Sequence, residues 1–93
     1  DAILAANDES ALGAMMTLRE AGVDIPGDVS VAGVDDARIA ALVGLTTMAV
    51  PKYEMGALAA RRVIESRVGP ATKVVLAHRL SVRTSTGPVR SRG

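Results

Sequence analysis

Two short apolar runs, AILAAND at residues 2–8 and SVAGVDD at residues 30–36, each stop in amide or acidic groups, and a helical stretch lies between them. That arrangement predicts an α/β domain on a parallel sheet, because strand, helix and strand follow one another at about the length a parallel crossover requires. Gly and Pro then punctuate the chain at IPGD, at Gly44 and at Gly69-Pro70, extending the predicted order to β-α-β-α-β-α-β-β.

Ala2 to Ala6 is a continuous apolar run, the pattern of a strand covered on both faces. Asn7 or Asp8 offers a helix N-cap for residues 9–21, and Gly22 suits the left-handed position beyond the helix end. In that helix Ala11, Ala14, Leu18 and Ala21 recur at three- and four-residue spacing and are assigned to the core. Leu12 and Met16 form a second apolar pair one turn apart on an adjoining face, where a simple amphipathic helix carries a single stripe.

Val29 to Val34 is a β-branched run and the second strand, right-handed crossover making it parallel to the first. Asp36 is placed as the cap of a short helix through Ile39 to Leu42. Leu45 to Val50 reads as a third strand, and Pro51 opens YEMGALAARRVIESRV at its first helical position. Met55, Ala59 and Val63, with Gly56, Ala60 and Ile64 beside them, predict close packing of this helix on the sheet; Gly69 and Pro70 stop it. Lys73 to Leu76 and Arg79 to Arg83 give two further strand signals, the second with Leu80 and Val82 inward and Ser81 and Arg83 outward. The closing STGPVRSRG has turn formers and charge without periodicity and reads as a mobile tail, with the domain boundary placed after residue 86 and the tail at residues 87–93.

The bulk composition narrows the function. The 93 residues allow one domain, and the single aromatic, Tyr53, leaves a core of aliphatic residues and Met and no stacking platform for single-stranded nucleic acid. Without cysteine there is neither a disulfide framework nor a thiolate metal site, and His78 alone makes no histidine cluster. No cofactor is expected. No apolar run is long enough for a membrane span and no signal-peptide order opens the chain, so a soluble, cytoplasmic protein is expected. Residues 1–60 carry nine acids against three bases and residues 61–93 one acid against eight bases. These bases are scattered through helix, strand and tail, which fits a solvated surface better than a nucleic-acid footprint. Asp1 leads at once into a strand, as expected of a piece of a longer protein.

Ligands of open α/β sheets sit beyond the carboxyl ends of the parallel strands. Asn7, Asp8, Asp35, Asp36 and the Val50–Lys52 stretch share that edge, and an amide with carboxylates suits the hydroxyls of a sugar or nucleoside. Asp8 and Asp36 each precede a helix and are read as caps. Asn7 and Asp35 suit turn formation and ligand contact equally. Lys52 opposes the dipole of the helix it begins and is a further candidate for effector binding. Met15, Met16, Met48 and Met55 read as core or interface filler and His78 as a strand bend without chemistry. No catalytic constellation stands out. A magnesium-dependent hydrolase built on Asp8, Asp35 and Asp36 is an alternative with no specific spacing behind it.

AANDESALGAMMTLREAGVDIPGDVSVAGVDD, then LTT, PKYEMG with AARRVIE, and RLSVRTSTGP, resemble the C-terminal part of the lactose repressor/galactose repressor (LacI/GalR) family of bacterial transcription regulators. The likeness runs over almost the whole chain in the right order. It implies the last section of a two-lobed effector-binding core of the periplasmic-binding-protein-like fold, with operator DNA bound only through a headpiece absent from this chain. It also implies that Asn7 and Asp35 bond effector hydroxyls, that Asp8 and Asp36 are structural, and that residues 9–21, with Leu12 and Met16, lie in a homodimer interface. This chain departs from the family pattern at Val50, where many members have glutamine, in the shorter VGLTT, and at Ala77, a frequent proline. The neighbouring reading is a lobe of a periplasmic sugar-binding protein of a transporter, which the VRTSTGP and PGDVSVAGVDD stretches disfavour.

Overall fold

A computed structural model describes residues 1–65 and 73–89. Its elements are β1 (Ala2–Leu4), α1 (Asp8–Glu20), β2 (Ser30–Val34), α2 (Arg38–Val43), β3 (Thr46–Ala49), α3 (Lys52–Ile64) and β4 (Arg79–Ser81). The sheet order is β1-β2-β3-β4, the first three parallel and β4 antiparallel to β3. The parallel α/β reading stands, with one strand fewer than expected. Lys73 to Leu76 forms no strand: Val74 is 50% and Val75 79% exposed, and β4 already occupies the free edge of β3. The stop expected at Gly69 and Pro70 lies outside the described residues.

The core lies between one face of the sheet and the helices α1 and α2. Ala11 and Met15 of α1, Val31 of β2, Ala40 of α2 and Leu45 ahead of β3 are fully buried together, with Ala5, Leu18, Ile25, Val29 and Val43 packed around them. The inward stripe of α1 is therefore Asp8, Ala11 and Met15, with Leu18 at its margin. Ala21, expected in the core, is the exposed C-cap, because the helix ends one residue before it. Gly22 takes the left-handed conformation at φ 75°, as its position beyond the helix predicts.

Three packing expectations are corrected. β1 is covered on one side at most, with Leu4 78% exposed, because no helix of the described residues lies on its second face. In β4 the inward and outward residues are exchanged. Thr47 pairs with Ser81 and Met48 with Leu80, so Ser81 follows Thr47 toward the α1 side while Leu80 and Val82 are exposed. Finally, α3 buries none of its side chains, and Met55, Val63 and Ile64 all face solvent. Pro51 is its N-cap, one position before the first helical residue.

Residues 85–87, at the start of the stretch read as a tail, are tied down, while Val89 is 97% exposed. Ser85 is buried: its Oγ donates to the Val31 carbonyl at 2.6 Å and accepts from the Thr46 amide at 2.8 Å. The Thr46 and Thr86 hydroxyls are 2.7 Å apart, and the Gly87 N–H donates to Ser30 Oγ at 3.2 Å. Buried hydroxyls with satisfied partners hold a segment that hydropathy alone leaves loose. Of the expected tail, residues 90–93 lie outside the described residues.

Candidate functional site

The four polar side chains that end β1 and β2 do four different things. Asn7 is the N-cap of α1: its extended backbone lets Oδ1 accept the Ser10 N–H at 2.8 Å. Asp8, expected as a cap of α1, is instead its first helical residue and is almost wholly buried. Its Oδ1 accepts from Thr47 Oγ1 at 2.5 Å and its Oδ2 from the Ala37 N–H at 2.7 Å. One carboxylate thus joins the start of α1 to β3 and to the residue before α2.

Gly33 makes that burial possible. A Cβ there would lie 2.5 Å from Asp8 Oδ1 and 3.2 Å from the Ala11 Cβ, so any larger residue would push the carboxylate off its partners.

Asp35 and Asp36 form the turn beyond β2, at φ 130° and 57°. Side chains other than glycine rarely adopt these values, and each such residue costs on the order of 1–3 kcal/mol. The Asp35 N–H continues the ladder to the Met48 carbonyl at 2.9 Å, while its half-exposed carboxylate lies 3.4 Å from Lys52 Nζ. Asp36 does not cap α2, whose N-cap is Ala37 without a side-chain bond. The left-handed turn carries its carboxylate toward β4, where Oδ1 accepts from Arg83 at 2.9 Å. Arg83 also donates to the Leu45 carbonyl at 2.9 Å. The sequence pattern turned Arg83 outward and left Thr47 unremarked; a threonine inside an apolar strand was the available signal, since a buried hydroxyl needs a partner.

Beyond these strand tips lies a cleft of about 460 Å³ lined by Asn7, Asp8, Glu9, Leu12, Asp35, Ala37 and Ile39. Asn7 and Asp35 both line it, and Lys52, which does not line it, pairs with Asp35. Leu12 contributes to its wall while Met16, one turn on, is 54% exposed. Asp8 and Asp35 border the same cleft, but the Asp8 oxygens are taken by Thr47 and the Ala37 N–H and the Asp36 carboxylate by Arg83. Among the described residues no cluster of His, Cys, Asp or Glu is placed to hold a metal ion. A second hollow of about 410 Å³, between α3 and residues 74–78, is walled mostly by Met55, Leu58, Val74, Val75 and Leu76 and receives none of the strand-tip groups.

The periplasmic binding protein-like domain family matches residues 1–86. The HTH-type transcriptional regulator MalR of Streptomyces coelicolor is 40% identical over 90 residues, covering 91% of this chain and 26% of that protein. Among solved structures, a lac repressor dimer bound to operator and the anti-inducer ONPF is 34% identical with a TM-score of 0.79, over 91% of this chain and 31% of that one. A LacI family transcriptional regulator from Lactobacillus casei with bound sucrose is 31% identical with a TM-score of 0.76, over 91% and 33%. The chain thus spans about a quarter to a third of the length of these three proteins. Among the described residues no helix is long and apolar enough to cross a membrane.

Proposed function

The chain belongs to the LacI/GalR family of transcriptional regulators, as a C-terminal part of the effector-binding core, and we propose that it is the effector-sensing and dimerisation section of a cytoplasmic bacterial regulator that binds operator DNA through a separate headpiece. The observation that carries this reading is the cleft in which Asn7 and Asp35 meet beyond the carboxyl ends of parallel strands. A carboxylate with acceptor capacity left over can take two neighbouring hydroxyls, and the Asn7 amide can donate while its Oδ1 remains on Ser10. That chemistry selects a sugar or another small polyhydroxyl effector, nucleosides included. Lys52, 3.4 Å from the Asp35 carboxylate, is placed to donate to an effector hydroxyl beside it.

The homodimer is supported by the exposure of Met16 on α1 and of Leu42 on α2, with Leu12 continuing the α1 face, and by the dimeric state of the lac repressor structure. In a two-fold contact each substitution acts twice, so Met16→Glu in the full-length protein would introduce two carboxylates into an apolar interface. The effector reading is tested by calorimetric titration of the full-length regulator with sucrose and cellobiose. Binding that falls by about 1.5–3 kcal/mol in Asp35→Ala is the expected result for a lost hydrogen bond to a charged group. Undiminished affinity in that variant would leave Asp35 as a turn former.

A further inference from the structure

The Asp35–Asp36 turn stands in a conformation that neither residue favours, and the groups that hold it are almost all buried. The Asp36 N–H donates to Thr47 Oγ1 at 3.2 Å, and the same hydroxyl donates to Asp8 Oδ1 at 2.5 Å. The next amide, Ala37 N–H, donates to Asp8 Oδ2 at 2.7 Å. Both backbone amides that follow Asp35 therefore end on one carboxylate, directly or through one hydroxyl. Asp8 is 1% and Thr47 0% exposed, so water cannot replace either partner, and the bare Gly33 leaves the space in which they meet.

We propose that Asp8 and Thr47 are positioning residues of the effector site. Together they clamp the Asp35–Asp36 turn so that the Asp35 carboxylate is presented to the cleft before any effector arrives. This rests on the reading of Asp35 as an effector ligand. Pre-ordering matters because an ion pair at the exposed Lys52 is too weak to hold a turn of this kind, and a turn that relaxed in the free protein would have to be re-formed at the expense of effector affinity. Asp8 does line the cleft, but both its oxygens are occupied from within, so its contribution passes through the backbone of residues 36 and 37.

The test uses the full-length regulator and three variants. Thr47→Val removes the hydroxyl at nearly constant shape, Thr47→Ser retains it, and Asp8→Asn replaces one acceptor oxygen by a donor. Amide hydrogen exchange is expected to accelerate roughly tenfold or more at Asp36 and Ala37 in Thr47→Val and Asp8→Asn, the scale of one lost buried hydrogen bond. Amides of the β2–β3 ladder should keep their rates, and Thr47→Ser should restore protection at residues 36 and 37. Unchanged exchange at those two amides, or an equal acceleration throughout the sheet, would overturn the clamp. Titration with sucrose and cellobiose is the second arm: affinity should fall roughly tenfold in Thr47→Val and return in Thr47→Ser. A sugar that binds Thr47→Val as tightly as wild type, while residues 36 and 37 exchange freely, would show that the turn's order is irrelevant to recognition. If neither sugar binds the wild type, the disaccharide effector fails as a reading while the exchange arm still decides the clamp.

Discussion

The body of the sheet with α1 and α2, and the arm made by α3 with residues 73–78, obey different physics. In the first, five apolar side chains are fully removed from water and every buried side-chain polar atom among the described residues has a partner. In the second, a thirteen-residue helix has no fully buried side chain, and Met55, Leu58 and Ala59 share a hollow with Val74, Val75 and Leu76. Helices in water take most of their stability from packing rather than from propensity. The body thus has a core of its own on one face of its sheet, while α3 presents Met55, Val63 and Ile64 to solvent without one. If the complete protein has the two-lobed core that the resemblance implies, Met55, Val63 and Ile64 are the residues a second lobe would cover.

The sharpest way to break this contrast is to cut equal side chains from both regions. Met15 is fully buried and Met55 is 47% exposed. Met15→Ala should cost about 2–5 kcal/mol in a denaturant titration of the full-length regulator, as buried truncations do. Met55→Ala should cost clearly less if α3 keeps its present exposure, and the two values should approach each other if the other lobe covers it. Gly33→Ala comes next. The new methyl meets Asp8 Oδ1 at 2.5 Å, and overpacking of this kind costs about 1–3 kcal/mol. A neutral outcome, measured the same way, would mean that the Asp8 carboxylate can move aside and that the body is less rigid than its hydrogen bonds imply.

The same division explains what the sequence made legible. Strand and helix periods and the left-handed Gly22 are local, and they were readable because each depends on a few neighbouring residues. The roles of Asp8 and Asp36 were not, since a carboxylate ahead of a helix looks like a cap whether it bonds its own helix or a group 29 residues away, as Asp8 does with Ala37. The inversion of Leu80 and Val82 had the same origin. Alternation gives the two faces of a strand but not which one is covered, and the partner that decides it, Ser81 opposite Thr47, is distant in sequence. The missing strand at residues 73–76 and the bare face of α3 reflect burial expected from apolar content where the described residues supply no surface to bury against. At the cleft, Asn7 and Asp35 were already singled out by strand-tip chemistry; Thr47 and Gly33 were not, because their part lies in holding others.

A finer test separates strain from chemistry within the body. Asp35 at φ 130° pays a conformational cost that glycine escapes, although glycine also loses roughly 0.5–1 kcal/mol through its freer unfolded chain. Asp35→Gly should therefore be more stable than Asp35→Ala by about 1 kcal/mol in thermal unfolding, while both lose effector affinity alike. Equal stability in the two would mean that the turn relaxes when its carboxylate is removed.

The smallest effect is expected at the joint between the two regions. Lys52 begins α3 and reaches back 3.4 Å to Asp35 at the tip of β2, with side chains 61% and 38% exposed. Solvent screens a pair this open, so its worth lies near zero and below about 1 kcal/mol. A cation in the first turn also opposes the helix dipole, and its removal returns on the order of 0.3 kcal/mol or more. Lys52→Met should therefore leave the unfolding midpoint of the full-length protein almost unchanged, and raising the salt concentration should shrink what difference remains. A loss of several kcal/mol would show that the pair is shielded in the complete protein and that body and arm unfold as one unit, which would remove the contrast at its source.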